Sequence, residues 1–384
     1  MAIHWCGTGL SSIPGLRRLI ESGRDVAVWN RTIAKAEIAV GDITDRIRAF
    51  DVEDLGKALK SGDVVVSMLP GEWHVPLAER ALAAGSDFVS SSYVSPEMRA
   101  LDGSAREAGI RLVNEVGLDP GIDHLMAHWL VADYRASAAY DPTNELSFSS
   151  YCGGVPKVPN AFRYKFSWSP LGVLKALLSP SRSLRGYSTL EIARPWDAVE
   201  RYAAPLPQPE TFEVYPNRDS LPFMEEYGFE PDWKVRDFVR GTLRLEGWAE
   251  AWSGIFRELE TLGGPKGEAR LKEMSDSFWT ENAYEDGEPD RVVLCVRLYA
   301  ERNGSPVYGK TYAMDAWGDA RGTAMARLVS IPVSLAVESV LEREIPPGVA
   351  AAPADPELVE RWLQEIRRLS QYLEVIDDLP VETN

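Results

Sequence analysis

The sequence predicts an α/β fold, with a doubly wound parallel sheet joined to a second, α+β domain. Three observations predict it. A short strand, Ala2-Ile-His-Trp-Cys6, runs directly into Gly7-Thr8-Gly9. Strand and helix patterns then alternate to about residue 113, as in a parallel sheet built from βαβ units. After about residue 145 that rhythm stops, and aromatic, Pro-rich segments such as Pro205-Leu-Pro-Gln-Pro209 take over.

Each element follows from local pattern. Residues 15–22 put Leu16, Leu19 and Ile20 on one helical face, and Gly23 stops the helix. Asp25–Asn30 reads as the second strand and completes a βαβ unit of Rossmann type. Helices are expected over 53–60, 75–84 and 96–108, with strands at 63–68, 87–90 and 110–113 between and after them. Farther on, strands are expected at Thr242–Leu245, Val292–Tyr299 and Val307–Tyr312, the last two forming a hairpin about Asn303-Gly304. Residues 322–342 read as an apolar helix interrupted by Pro332. Residues 355–370 align Leu358, Trp362, Ile366 and Leu369 on one face, and the acidic tail beyond Ile376 is expected to fray. The expected domains are 1–118 for a dinucleotide, 119–320 for substrate and dimerisation, and 321–384 as C-terminal helices packing back on the first.

Composition bounds the function. With 384 residues, 45% hydrophobic and 26% charged, the chain can bury a sizeable core. A net charge of −17 argues against nucleic acid or anionic membrane as partner, and an anionic substrate would need a local basic pocket. The three cysteines, Cys6, Cys152 and Cys295, are far apart and odd in number, so neither a disulfide framework nor a zinc site is expected. The four histidines show no clustered ligand spacing, and no metal is expected. No leader pattern opens the sequence, which makes a cytoplasmic location the expectation.

Gly7 and Gly9 stand where bare amides at a helix N-terminus can meet a pyrophosphate. Ser12 occupies the place of the usual third glycine, so the fingerprint is incomplete. Asn30-Arg31-Thr32 ends the second strand, where NAD sites usually carry an acid for the ribose. A guanidinium there suits a 2′-phosphate and favours NADP over NAD, the alternative being a solvated loop charge.

Residues 114–124 read Asn-Glu-Val-Gly-Leu-Asp-Pro-Gly-Ile-Asp-His and follow a strand at its carboxyl end. Asp119 and Asp123 flank a Pro-Gly turn; the structural alternative is that Asp119 starts the turn and Asp123 caps a helix beginning at His124. This segment resembles the signature of the saccharopine dehydrogenase family, and other blocks agree in order. They are Gly7-Thr-Gly-Leu-Ser-Ser-Ile-Pro14, Ser91-Ser-Tyr-Val-Ser-Pro96, Ser150-Tyr-Cys-Gly-Gly-Val-Pro156, Tyr164-Lys-Phe-Ser-Trp-Ser169, Tyr215-Pro-Asn-Arg-Asp-Ser220, Arg240-Gly-Thr-Leu-Arg244 and Ala324-Met-Ala-Arg-Leu-Val329. The resemblance spans nearly the whole chain and is closest to glutamate-forming members. Ile13 replaces a common Arg, and the stretches Leu245–Val292 and Val155–Phe162 are shorter than in fungal members.

The resemblance implies an NADP- or NAD-dependent, homodimeric oxidoreductase of lysine metabolism acting on saccharopine, a secondary amine with three carboxylates. It implies cofactor contacts from Gly7, Gly9, Leu10, Ser11, Ser12, Asn30, Arg31, Asp51, Leu69, Pro70, Ser91, Leu118 and Phe166. For the substrate it implies Ser92, Tyr93, Asp119, Cys152, Gly153, Lys165, Arg218, Arg240, Thr242 and Arg244, with Asp119 the catalytic residue. Arg218 and Arg244 lead as carboxylate partners, Cys152 reads as a pocket wall, and Tyr93 and His74 are alternatives to Asp119 in proton handling. Two other readings remain open: reductive C–N coupling of a diamine-derived substrate, as in carboxynorspermidine dehydrogenase, and a dinucleotide sensor without catalysis.

Overall fold

The apolar runs Ile3–Cys6, Val26–Asn30 and Val64–Ser67 lack polar alternation, as strands of a parallel sheet covered on both faces do, and only Asn30 of them is not buried. The computed structural model describes residues 1–379. In chain order come β1 (Ile3–Cys6), α1 (Ile13–Glu21), β2 (Val26–Asn30), α2 (Ile33–Val40), β3 (Ile47–Ala49), α3 (Val52–Ala58) and β4 (Val64–Ser67). Next are α4 (His74–Ala84), β5 (Asp87–Ser90), α5 (Pro96–Arg99), α6 (Asp102–Ala108), β6 (Arg111–Val113) and α7 (Ile122–Ala136). The helix expected over 96–108 is therefore two short ones, parted at Ala100-Leu101 where the Leu101 amide bonds Met98 O and turns the chain. Neither α2 nor β3 was expected, because both are short and mostly exposed.

From residue 145 the chain combines long strands with helices rather than running irregular. It forms β7 (Glu145–Pro156), α8 (Pro170–Leu177), β8 (Ser181–Arg185), β9 (Ser188–Ile192), β10 (Glu200–Ala204), β11 (Glu210–Pro216), α9 (Pro222–Glu226) and β12 (Lys234–Leu245). Then follow α10 (Trp248–Ala251), α11 (Ser253–Leu259), α12 (Gly264–Asn282), β13 (Asp290–Arg302) and β14 (Ser305–Trp317). The β13–β14 hairpin turns at Asn303 and Gly304, with φ of 53° and 75°. Positive φ at both positions fits a two-residue hairpin turn, which Asn-Gly supplies at little cost. Serines and glycines hide β7 from hydrophobic patterning, although it lies in the middle of its sheet.

Last come α13 (Ala324–Leu341), β15 (Gly348–Ala350), α14 (Pro356–Leu369) and β16 (Tyr372–Asp377). Pro332 lies inside α13 without interrupting it. This helix is long and apolar enough to cross a membrane, but 78% of it is buried within the protein, as in a core helix. The expected fraying beyond Ile376 is corrected. Asp377 ends β16, and Asp378 holds Arg297 at 2.6 Å and Thr311 at 2.9 Å. Residues 380–384 lie outside the described residues.

The chain makes two compact units, residues 1–125 with 325–366, and residues 126–324 with those from Arg367 onward. The segment 321–384, expected to join the first domain as a whole, is thus divided. In the first unit the sheet order is β15-β6-β5-β4-β1-β2-β3, all parallel. The second unit holds a nine-stranded sheet with the path β10-β11-β12-β7-β13-β14-β16, to which β8 and β9 attach through β12. Its β12–β7 pair is parallel and its other pairs are antiparallel. An aromatic cluster including Tyr164, Phe166, Trp248, Trp252 and Phe256 is a core of this unit.

Candidate active site

The loop from Gly7 to Ser12 links β1 to α1. Gly7 has φ of 105°, and a Cβ there would meet Met68 O at 2.7 Å, so only glycine fits. A Cβ on Gly9 would meet nothing within 4 Å, so no protein contact requires that glycine. The open space in front of it suits a phosphate group. Thr8 N donates to Asn30 Oδ1 at 3.2 Å. Among the described residues, the amides of Gly9, Leu10 and Ser11 donate to no protein acceptor, and the buried Thr8 Oγ1 has no partner. Orphan amides at a helix N-terminus make a cradle for an anion.

Ser12 is corrected from a cofactor contact to a clamp. It is 1% exposed, its hydroxyl donates to Gly7 O at 2.7 Å, and it accepts from Trp5 Nε1 at 2.8 Å. Close helix packing, the usual task of a third glycine, falls instead to Gly15. A Cβ there would lie 1.9 Å from Ser330 O on α13. Sequence reading missed Gly15, because its reason lies 315 residues away.

At the end of β2, Asn30 spends both ends of its amide on the protein, accepting from Thr8 N and donating to Thr32 O at 2.8 Å. Its side chain therefore shapes the loop rather than reads a ribose. Arg31 is exposed and has no carboxylate partner among the described residues, which leaves its guanidinium available to a 2′-phosphate. Asp51 caps α3, accepting from Glu53 N at 2.9 Å and Asp54 N at 3.0 Å, so its carboxylate is already used. Leu69 and Pro70 follow β4 and Ser91 follows β5, at the sheet edge where ligands meet such folds. Leu118 is buried in the turn ahead of Asp119.

The Asn114–His124 segment is wound tightly. The Gly117 amide donates to Pro120 O at 2.9 Å, and a Cβ on Gly121 would strike Gly117 O at 2.2 Å. This turn presents Asp119, whose Oδ1 lies 3.3 Å from the Tyr93 hydroxyl. Two residues expected from separate blocks thus meet as a donor–acceptor pair. Asp123 is not a cap for a helix starting at His124. The helix starts at Ile122, and the fully buried Asp123 accepts from Gly121 N at 2.7 Å. His124 Nε2 sits 2.8 Å from Glu115 Oε2, and Glu115 Oε1 accepts from Val94 N at 2.8 Å. These carboxylates hold the backbone shortly after Tyr93 and shortly after Asp119.

His74, a lone histidine in the sequence, opens α4 and is 7% exposed. Its Nδ1 lies 2.8 Å from Ser67 Oγ and its Nε2 2.8 Å from Ser92 Oγ. Burial pushes its pKa down to about 4, so the ring is neutral at ordinary pH.

In the second unit, strand alternation places Arg240, Thr242 and Arg244 on one face of β12, opposite the core side chains Val239, Leu243 and Leu245. Thr242 pairs with Cys152 on β7 and with Tyr215 on β11. Gly153 faces the other way, and a Cβ there would fall 2.1 Å from Leu243 O. It is a packing glycine, not a point of ligand approach.

Arg244 is 6% exposed, with its guanidinium 4.8 Å from the Tyr164 ring and 5.5 Å from that of Trp248. Its Nη1 donates to Leu243 O at 3.2 Å, and its Nε has no partner. Glu213, its register neighbour on β11, instead accepts from Gly247 N and Ala249 N at 2.9 and 2.7 Å. No carboxylate among the described residues pairs with Arg244. A buried guanidinium left so is costly unless an anion completes it. The Arg240 guanidinium lies 4.0 Å from the Phe223 ring. Arg218 is exposed in the loop after β11 with φ of 56°.

Two expectations are corrected here. Lys165 has its charge met by Glu288 at 2.5 Å, so it is not a waiting carboxylate ligand. Phe166 is 1% exposed in the aromatic core, stacked at 17° on Phe278, and so packs rather than faces a cofactor.

A parallel sheet with an amide cradle after β1, and at the end of neighbouring β2 an arginine unpaired among the described residues, defines a dinucleotide-binding oxidoreductase fold. The chain belongs to the saccharopine dehydrogenase family. The family model for the "Saccharopine dehydrogenase NADP binding domain" matches residues 5–113, and that for the "Saccharopine dehydrogenase C-terminal domain" matches residues 117–370. The NADP(+), L-glutamate-forming saccharopine dehydrogenase of Pyricularia oryzae is 28% identical over 94% of this chain and 95% of its own length. That of Saccharomyces cerevisiae is 28% identical over 89% and 91%. The apo structure of the L-Glu-forming enzyme from Saccharomyces cerevisiae matches with a TM-score of 0.80 at 26% identity, covering 98% of this chain and 100% of that one. Homospermidine synthase from Legionella pneumophila, at 10% identity and a TM-score of 0.64, shares the fold.

Proposed function

We propose that the chain is an NADP-dependent saccharopine dehydrogenase of the L-glutamate-forming type. The observation that carries the substrate is Arg244, a buried guanidinium without a carboxylate partner among the described residues, on the strand face it shares with Arg240. Arginines set in apolar, aromatic surroundings suit a substrate with several carboxylates, and they explain how an acidic chain of net charge −17 takes one up. Two relatives of this specificity align along nearly the whole chain.

Bound NADP supplies the acceptor for hydride from the carbon beside the secondary amine. The chain supplies the rest. The amides of Gly9, Leu10 and Ser11 would hold the cofactor's pyrophosphate, and Arg31 would meet its 2′-phosphate. Arg240, Arg244 and Arg218 fix the substrate carboxylates. Asp119, hydrogen-bonded to the Tyr93 hydroxyl, accepts the amine proton directly or through a water. Water adds to the resulting imine carbon, and the pair returns a proton to nitrogen as the C–N bond breaks. The products are glutamate and 2-aminoadipate 6-semialdehyde.

The test is a spectrophotometric assay with saccharopine and NADP, in which absorbance of the reduced cofactor rises. No reduced cofactor with either NADP or NAD across neutral and alkaline pH rejects the reading. Light scattering in solution tests the homodimer expected from the resemblance; a monomer at assay concentration rejects that part alone.

A further inference from the structure

His74 bridges two hydroxyls, and only one proton arrangement satisfies all three groups. Ser67 ends β4 and is fully buried, and among the described residues its hydroxyl meets only His74 Nδ1, at 2.8 Å. A buried O–H without an acceptor is costly, so Ser67 gives its hydrogen to Nδ1. A neutral imidazole then carries its one proton on Nε2 and donates it to Ser92 Oγ, 2.8 Å away. An imidazolium would donate from both nitrogens and strand the Ser67 hydrogen. Burial, which holds the ring's pKa near 4, excludes that state at neutral pH.

Ser92 receives a hydrogen and has its own left to give. It is half-buried, two residues past β5, and adjacent to Tyr93, which reaches Asp119. Its amide is taken up by Ser90 Oγ at 3.1 Å, which fixes the backbone beneath it. Chain polarity thus runs from the sheet interior outward, from Ser67 through His74 to Ser92. A hydroxyl that already accepts from Nε2 keeps its own hydrogen to offer an acceptor such as a carboxylate oxygen.

We infer that Ser67 and His74 act as positioning residues that fix the Ser92 hydroxyl as a hydrogen-bond donor to a carboxylate oxygen of the amino-acid substrate. The inference rests on the substrate reading above and adds to it a polarity that the serine alone does not have. His74 itself touches neither substrate nor cofactor in this role.

Protein labelled with 15N-histidine gives the tautomer directly, from long-range 1H–15N correlations at neutral pH, with His74 assigned by its loss in His74→Gln. The expected state is a protonated Nε2 and a bare Nδ1; a protonated Nδ1 overturns the relay. In steady-state kinetics, His74→Leu should raise KM for saccharopine about tenfold with kcat nearly unchanged, the loss of one hydrogen bond to a charged group. His74→Gln, whose amide N–H can replace Nε2–H, should recover most of that loss. Equal loss in the two variants, or a weakened NADPH Kd with an unchanged saccharopine KM, overturns the assignment. Absence of saccharopine turnover in the unmodified protein rejects the substrate reading and the carboxylate with it. A wrong tautomer in a fully active protein rejects the relay alone.

Discussion

The Gly7–Ser12 loop and the Arg240–Arg244 strand face present hydrogen-bond donors in opposite ways. The loop does it with backbone. Its amides point outward because Gly7 accepts a left-handed φ and because Ser12, Trp5 and Asn30 clamp the turn from behind. Its own side chains contribute little. The strand does it with side chains held at alternate positions, Arg244 among them set between aromatic rings while its neighbour Glu213 is taken up by the amides of Gly247 and Ala249. Backbone sites tolerate many substitutions that add no bulk, whereas a site made of side chains fails at single positions. Between these extremes, the Ser67–His74–Ser92 chain is polar but uncharged, buried at Ser67 and His74 and half-buried at Ser92.

That difference can be broken or sharpened by experiment. The largest effect should come from protonating the uncharged chain. The folded pKa of His74 is about 4, against 6.5 for an ordinary histidine. Above pH 6.5 the ring is neutral in folded and unfolded chains alike and contributes nothing. As pH falls from 6.5 toward 4, the unfolded chain binds a proton that the folded one refuses, and stability drops by up to about 3 kcal/mol. Thermal unfolding of the wild type and His74→Gln should show that extra acid loss only in the wild type, and parallel losses would refute it.

Next in size is Arg244→Met, which keeps the packing and removes the charge. KM for saccharopine should rise about 50-fold, as expected for losing a charge-assisted hydrogen bond. An unchanged KM would remove Arg244 from the site. Arg31→Ser should lower the preference for NADP over NAD about tenfold, read as a ratio of kcat/KM values. The preference staying fixed would return Arg31 to the role of a solvated loop charge. Smallest is the pair Gly9→Ala and Ser11→Ala. Gly9→Ala adds a methyl that meets no protein atom, so thermal stability should hold while NADPH Kd weakens several-fold. Ser11→Ala, which leaves the amide in place, should change that Kd by less than about twofold. A larger loss at Ser11 than at Gly9 would show that the loop binds through side chains after all.

Much of the first unit was legible before any coordinates. Strand runs such as Val64-Val-Val-Ser67 and the Gly7-Thr-Gly9 turn are local signals, read within one element and its neighbours. The second unit was less so. Strand β7 was missed because Ser149, Ser150, Gly153 and Gly154 carry no hydrophobic period, and its place mid-sheet depends on β12 and β13, far away in sequence. Site residues divide similarly. Arg31 was named from its position at a strand end, and Asp119 from the family resemblance of the turn that carries it. Lys165, Asp51 and Asn30 carry suitable groups, but their partners were invisible in the sequence: Glu288 for the first, the α3 amides for the second, Thr8 and Thr32 for the third.

By itself, the sequence determined the alternation of strands and helices, the glycine turn, the Asp119 turn and the family to which these motifs belong. Those features depend on short-range periodicity and on backbone conformations that few residues can adopt. Only the tertiary structure decided which polar groups are already satisfied. Hydrogen-bond partners come from segments distant in the chain, and a carboxylate or guanidinium becomes available to a ligand only when folding has given it no other use. By that test Ser12 closes the loop and Gly15 seats the helix, while Arg244 is left without a carboxylate among the described residues. His74, which looked like an ordinary contact, becomes the centre of a proton-ordered chain.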